Sequence, residues 1–117
     1  MSKIKNAFKL TNKVGIIVPS TIGANTKGNE DTVKFNVRQV MRTLSEMFGG
    51  ASTIKQEGAW VSEEHGLIVE ENTLVYAYAE ELNDSILNKV LEVAEALGQA
   101  MEQEAIAVEI NNEMYFV

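Results

Sequence analysis

The order of hydrophobic patterns along the chain predicts an α+β fold, with an antiparallel sheet carrying two helices on one face. Three observations lead to it. Short apolar runs rich in β-branched or aromatic residues occur at 13–20, 73–79 and 105–110. Two longer stretches between them repeat their apolar residues every three or four positions, as a helix buried on one side does. Polar, glycine- or asparagine-bearing segments separate the patterns. The resulting order, βαββαβ with a short extra C-terminal strand, is the split βαβ or ferredoxin-like arrangement, and the right-handed crossover rule favours it.

Each element has its own signal. Lys13 to Ser20 (KVGIIVPS) is too short for a helix, is β-branched and stops at Pro19, so it reads as a buried strand. Thr21 to Asp31 reads as a polar loop, with Asp31 or Thr32 placed to cap a helix by accepting a first-turn N–H. That helix carries Val33, Val37, Val40, Met41, Leu44, Met47 and Phe48 on one stripe and stops at Gly49-Gly50. Ala51 to Ser62 alternates loosely, Glu63 to Gly66 reads as a turn before Leu67 to Val69, and Thr73 to Ala79 (TLVYAYA) is a strong strand. Together they predict a hairpin-like pair with a long arm. Asn83 or Asp84 opens a second helix with Ile86, Leu87, Val90, Val93, Ala94, Leu97 and Met101 on its stripe, weakened at Gly98. Ala105 to Ile110 is the next strand, and Asn111-Asn112-Glu113 turns the chain into Met114 to Val117.

The 117 residues are 45% hydrophobic and include no cysteine and one histidine. That length suits one compact domain, drawn here at 13–117, behind a basic N-terminal segment at 1–12 whose order the pattern leaves open. Without cysteine there are no thiol nucleophiles, disulfides or thiolate metal sites, and a single histidine gives no His-rich centre, so neither metal nor cofactor is expected. No run reaches the roughly 20 apolar residues that span a bilayer, and the N-terminus lacks a signal-type apolar core, so the chain reads as cytoplasmic. Charge is split. Residues 1–55 hold nine of the ten Lys/Arg and three acids, a net of +6, whereas residues 56–117 hold one lysine and fourteen acids, a net of −13. A net of −7 argues against direct binding of duplex DNA and for a basic partner or a DNA-mimicking role. Lys34, Arg38 and Arg42 recur every four residues on the first helix, and Glu81, Asp84, Glu92, Glu95 and Glu102 recur on or beside the second. These stripes either pair across the helix layer, form a contact surface for another chain, or are simply solvated.

Few residues offer themselves for chemistry. The segment Gly23-Ala24-Asn25-Thr26-Lys27-Gly28-Asn29 sits between a strand and a helix start, where backbone N–H groups can hold a phosphate, making Lys27, Gly28 and Asn29 candidate ligand contacts. A Walker A loop needs its lysine after the second glycine, and here Lys27 precedes Gly28; the plainer alternative is a flexible loop. Glu63, Glu64, His65, Glu70 and Glu71 cluster around one turn but match no ligand spacing, and an acidic surface turn explains them equally. Trp60 follows Gly58 in a small, polar stretch, and it either covers the open side of the sheet or anchors an interface. In the third strand Leu74, Tyr76 and Tyr78 fall on one side and Val75, Ala77 and Ala79 on the other. A strand apolar on both sides is usually buried on both, and a homodimer through the sheet would achieve that. The interface candidates are Trp60, Tyr76, Tyr78, Glu92 and Glu95.

Phe48-Gly49-Gly50-Ala51, Gly58-Ala59-Trp60, Gly66-Leu67-Ile68-Val69-Glu70, Gln103-Glu104-Ala105-Ile106-Ala107-Val108 and the terminal Met114-Tyr115-Phe116-Val117 together resemble a family of small bacterial, plasmid and phage proteins of unknown function. The resemblance spans most of residues 33–117, departs from the family at Ile106, where valine is expected, and leaves the first 32 residues less well matched. It implies a ferredoxin-like fold with a Gly-x-Trp hairpin and a Gln-Glu-Ala strand, no transferable catalytic residues, and a mobile-element setting in which small acidic proteins divert host defences.

These observations predict a non-catalytic interaction module and no enzyme: a homodimer that occupies a host protein's surface as a phage or mobile-element inhibitor of a defence or nucleic-acid-binding enzyme, of anti-CRISPR type. The alternative is an oligomeric binder of a small ligand or nucleotide at the 21–31 loop. Last comes a small enzyme assembled at a subunit interface around His65.

Overall fold

The computed structural model describes residues 3–23 and 26–117. A single 3₁₀ turn at Lys3–Asn6 precedes β1 (Asn12–Pro19), a tiny hairpin of β2 (Thr21–Ile22) and β3 (Thr26–Lys27), and helix α1 (Glu30–Phe48). Then come β4 (Ser52–Ser62), β5 (Gly66–Ala79), α2 (Asp84–Ala100), β6 (Ala107–Ile110) and β7 (Glu113–Phe116). The main sheet is antiparallel throughout, in the order β4-β5-β1-β6-β7. Setting aside the small hairpin and the closing strand, this is the ferredoxin-like α+β fold that the patterns predict.

Alternation in the strands separates two faces. Val14, Ile16 and Val18 of β1, Val75 and Ala77 of β5, and Val108 of β6 point to the helices and pack with Val40, Leu44, Val90, Ala94, Leu97 and Met101 into one core. α1 lies over β5 and β1, and α2 lies beside β6. Two helices therefore cover the middle of a five-stranded sheet, and the helix-side row of β4 is left without a cover.

Of the expected helix ends, the stop at Gly49 and the cap at Asn83 are present and the start of α1 differs. The expected cap at Asp31 or Thr32 is instead Asn29, whose side chain accepts the Asp31 N–H at 2.8 Å; Glu30 and Asp31 then fill the first turn, where carboxylates suit the helix dipole. Gly49 closes α1 in the left-handed conformation, with φ 85°, and donates its N–H to the Ser45 carbonyl. Asn83 caps α2 through the Ile86 N–H at 2.9 Å.

Two other expectations change. The segment 21–31, read as a loop, contains the β2–β3 pair, held from far along the chain. Gln103 Nε2 donates to the carbonyls of Gly23 (2.8 Å) and Thr21 (3.0 Å), the Gly23 N–H donates to Met101 O, and the Gly28 N–H donates to Ser20 O. The strand expected at 73–79 starts at Gly66, because pairing with β4 carries Glu70, Glu71 and Asn72 into the ladder despite their polarity. β1 supports only Asn72–Ala79 of β5, so residues 57–71 project as a free two-stranded ribbon of about 20 Å. The molecule measures 57 × 28 × 26 Å.

Candidate functional site

The uncovered row of β4 and the near side of α1 form the walls of an open groove of about 1310 Å³. Its floor is apolar, from Val18, Val33, Val37 and Met41. The helical wall presents Lys34 and Arg38, one turn apart. The sheet wall presents Lys55 and Glu57 of β4 and Glu71 of β5, with Lys27 at the end of β3 closing one end. Glu57 and Glu71 are direct cross-strand partners, a like-charge placement that costs stability unless something positive lies near. Ser20 ties this end to the sheet by donating from Oγ to the Glu71 carbonyl at 2.6 Å.

These charges are uncommitted. Among the described residues the ion pairs are Lys13 with Glu109, Arg42 with Glu46 and His65 with Glu64, so Lys27, Lys34, Arg38, Lys55, Glu57 and Glu71 have none. Nearby, the Asn72 Oδ1 is buried with no hydrogen-bond partner. A wide groove with an apolar floor and unpaired charges of both signs suits a ligand that carries a flat apolar part together with both positive and negative groups.

The residues singled out from the sequence are distributed as follows. Lys27 lines the groove. Gly28 and Asn29 adjoin it, but the Gly28 N–H is taken by Ser20 O and the Asn29 side chain by the helix cap, so neither is left over for a phosphate; Ala24 and Asn25 lie outside the described residues. Trp60, Tyr76 and Tyr78 share the open face of the sheet, whereas Tyr115, paired with Val108, lies on the helix side. Trp60 stands 56% exposed on the ribbon and Tyr78 48% exposed, and Tyr76 meets Tyr78 edge to face at 5.9 Å with the Lys13 ammonium 4.7 Å from its ring. Glu92 and Glu95 are exposed on α2, and of the readings of the two helical stripes, pairing across the helix layer does not form: none of the ion pairs among the described residues joins α1 to α2. The acid and histidine turn is spread out. His65 Nε2 lies 3.6 Å from Glu64 Oε2 at the exposed ribbon tip, Glu70 and Glu71 point to opposite faces, and no metal-holding group of three occurs among the described residues. At the far edge of the sheet Tyr115 donates to Glu113 Oε2 at 2.9 Å, and that bond, with the carboxylate's charge, raises the phenol above its ordinary pKa.

Sequence reasoning missed Lys34, Arg38, Lys55, Glu57 and Glu71 as one site. The four-residue spacing of the basic stripe was visible, but which side of α1 would be left uncovered depends on how many strands the helices span.

Two solved structures share this fold. Both are of a phage SAM lyase, one in complex with S-methyl-5'-thioadenosine and one in the apo state. Each is 22% identical to this chain with a TM-score of 0.61. The first match covers 94% of this chain and 93% of that one, and the second covers 91% and 87%. No protein-family model matches the chain, and a search of curated proteins finds no match. The solved structures overturn two expectations, that the chain is a non-catalytic interaction module and that it is no enzyme: the proteins that match it end to end are lyases. The expectation rested on the absence of cysteine and the presence of a single histidine, which speaks to nucleophiles and acid–base groups and not to reactions driven by the substrate's own leaving group. No helix among the described residues is long and apolar enough to cross a membrane.

Proposed function

We propose that this chain is a lyase that cleaves S-adenosylmethionine, or a close sulfonium nucleoside, in the groove between α1 and β4. The end-to-end match to a lyase whose structure holds S-methyl-5'-thioadenosine carries this reading. The groove supports it through its apolar floor and its unpaired charges of both signs.

The chemistry fits a chain with little catalytic equipment. S-methyl-5'-thioadenosine is S-adenosylmethionine without its four-carbon amino-acid arm. Releasing it breaks the bond between sulfur and the arm's terminal carbon, and both electrons of that bond pass to sulfur. The sulfonium charge is discharged and a neutral thioether leaves. The arm is completed either by loss of a proton from the adjacent carbon to a base, water or one of the groove carboxylates Glu57 and Glu71, giving an unsaturated amino acid, or by closure of its own carboxylate on the terminal carbon, giving a lactone with no base required. Neither route needs an enzyme nucleophile. The protein's task is to hold the arm and exclude water, and an apolar floor favours the change from a charged sulfonium to a neutral thioether.

A phage setting and an anti-defence role belong to the same reading, because destroying S-adenosylmethionine deprives host systems that depend on it. A second copy of the chain is the proposed cover for the open sheet face, where Ile54, Tyr78, Met114 and Phe116 are exposed beside Trp60.

The test is to incubate the purified protein with S-adenosylmethionine and follow both substrate and S-methyl-5'-thioadenosine by chromatography. Loss of the first matched mole for mole by gain of the second supports the reading, and proton NMR of the four-carbon product, which shows vinyl protons for the unsaturated amino acid and none for its isomer the lactone, tells the two routes apart. Persistence of substrate over long incubation at high enzyme concentration overturns it.

A further inference from the structure

We infer that Lys34 and Arg38 of α1 form the anchor for the substrate's carboxylate, so that the site recognises the amino-acid arm and not only the nucleoside. This rests on the lyase reading above. The argument begins with which charges are free. All three cations of the stripe line the groove, but Arg42 is held by Glu46 at 3.0 Å, whereas Lys34 and Arg38 enter none of the ion pairs among the described residues. Both project from one helical wall a single turn apart, close enough to share one carboxylate, and the planar guanidinium suits two-point binding.

The opposite wall fixes the direction. Glu57 and Glu71, paired across β4 and β5, repel a carboxylate and attract an ammonium or sulfonium group. Lys55 stands on the same sheet wall and Glu30 on the helical one, but the two acids outnumber Lys55 and the two cations outnumber Glu30, so a zwitterionic arm lying across the groove turns its carboxylate to α1 and its positive groups to the sheet. The aliphatic stems of Lys34 and Arg38 rise beside Val33, Val37 and Met41, over which the rest of the molecule would lie.

Two ligands separate the arm from the nucleoside without depending on how the bond is cut. S-adenosylhomocysteine carries the whole amino-acid arm on a neutral sulfur, and S-methyl-5'-thioadenosine lacks the arm. Affinities for both are measured by titration calorimetry on the full chain, on Arg38→Gln, on Lys34→Gln, and on Lys89→Gln as a charge control on α2. The expected result is that Arg38→Gln weakens S-adenosylhomocysteine about tenfold or more and Lys34→Gln several-fold, while S-methyl-5'-thioadenosine binding stays within twofold in every variant and Lys89→Gln matches the parent. KM for S-adenosylmethionine should rise in step. If both ligands bind the parent and the affinity ratio is unchanged in Arg38→Gln and Lys34→Gln, the anchor assignment is wrong while the lyase reading stands. If the parent binds neither and leaves S-adenosylmethionine intact, the lyase reading itself fails and the anchor with it.

Discussion

Asn29 and Gln103 show how single polar side chains decide this structure. Asn29 sits where the sequence suggests a ligand contact, yet its amide oxygen satisfies a first-turn N–H of α1. Asn29→Ala should therefore lower unfolding free energy by about 1 kcal/mol, read from urea denaturation, and Asn83→Ala should do the same at α2. Gln103 is partly buried, and its amide serves Thr21, Gly23 and Met101. Gln103→Ala takes this donor from the Thr21 and Gly23 carbonyls, while the Met101 carbonyl keeps the Gly23 N–H, and should cost about 1–3 kcal/mol. Gln103→Glu should cost more, because a carboxylate would then face carbonyl oxygens. Gly28 belongs with this pair: a Cβ there would meet Val33 Cγ2 at 3.0 Å and the Ser20 carbonyl oxygen at 3.1 Å, while one at Gly50 would meet nothing within 4 Å. Gly28→Ala should accordingly destabilise the junction of β3 and α1, and Gly50→Ala should not.

Among the elements, α1 and the β4–β5 hairpin each do two jobs. Leu44 of α1 is fully buried in the core, so Leu44→Ala should cost about 2–5 kcal/mol. The other side of the helix walls the groove, and its exposed cations can be changed without that cost. The hairpin is anchored at its base by β1 and free beyond it, and an isolated two-stranded ribbon is marginal in water. Trp60, Val61, Leu67 and Val69 are all more than half exposed along it. Trp60→Ala should then change the stability of a single copy by less than about 0.5 kcal/mol by thermal melting at low concentration. An effect of several kcal/mol would mean that the indole is already packed within its own chain. The acidic face of α2 makes no ion pair with α1, so Glu92→Gln and Glu95→Gln should leave stability within about the same 0.5 kcal/mol.

Taken as one body, the chain has a covered face and an open one. The helix side buries Val14, Ile16, Val75 and Val108 completely, while the other side leaves Ile54, Trp60, Tyr78, Met114 and Phe116 in contact with solvent. This is the apolar area that the proposed second copy would cover. Native mass spectrometry should find more than one copy per particle, and Trp60→Ala with Tyr78→Ala should shift the population towards single copies. A parent that stays monomeric at high concentration would remove the proposed self-association.

Much of this protein could be read from its letters. The apolar spacing at Val33, Val37, Val40 and Leu44, the glycine after Phe48, the alternation through Tyr76 and Tyr78 and the order of these patterns are local properties, and local sterics and burial were enough to predict the ferredoxin-like α+β fold. The groove was not legible in the same way. Lys34, Arg38, Lys55, Glu57 and Glu71 are spread over three elements, and they face one another only because two helices are too few to roof five strands. The hairpin at 21–27 was hidden for the same reason, since its anchor, Gln103, lies some 80 residues along the chain. Short-range preference selects helices and strands, whereas contacts distant in sequence select which of their surfaces are left open, and here the site lies on such a surface.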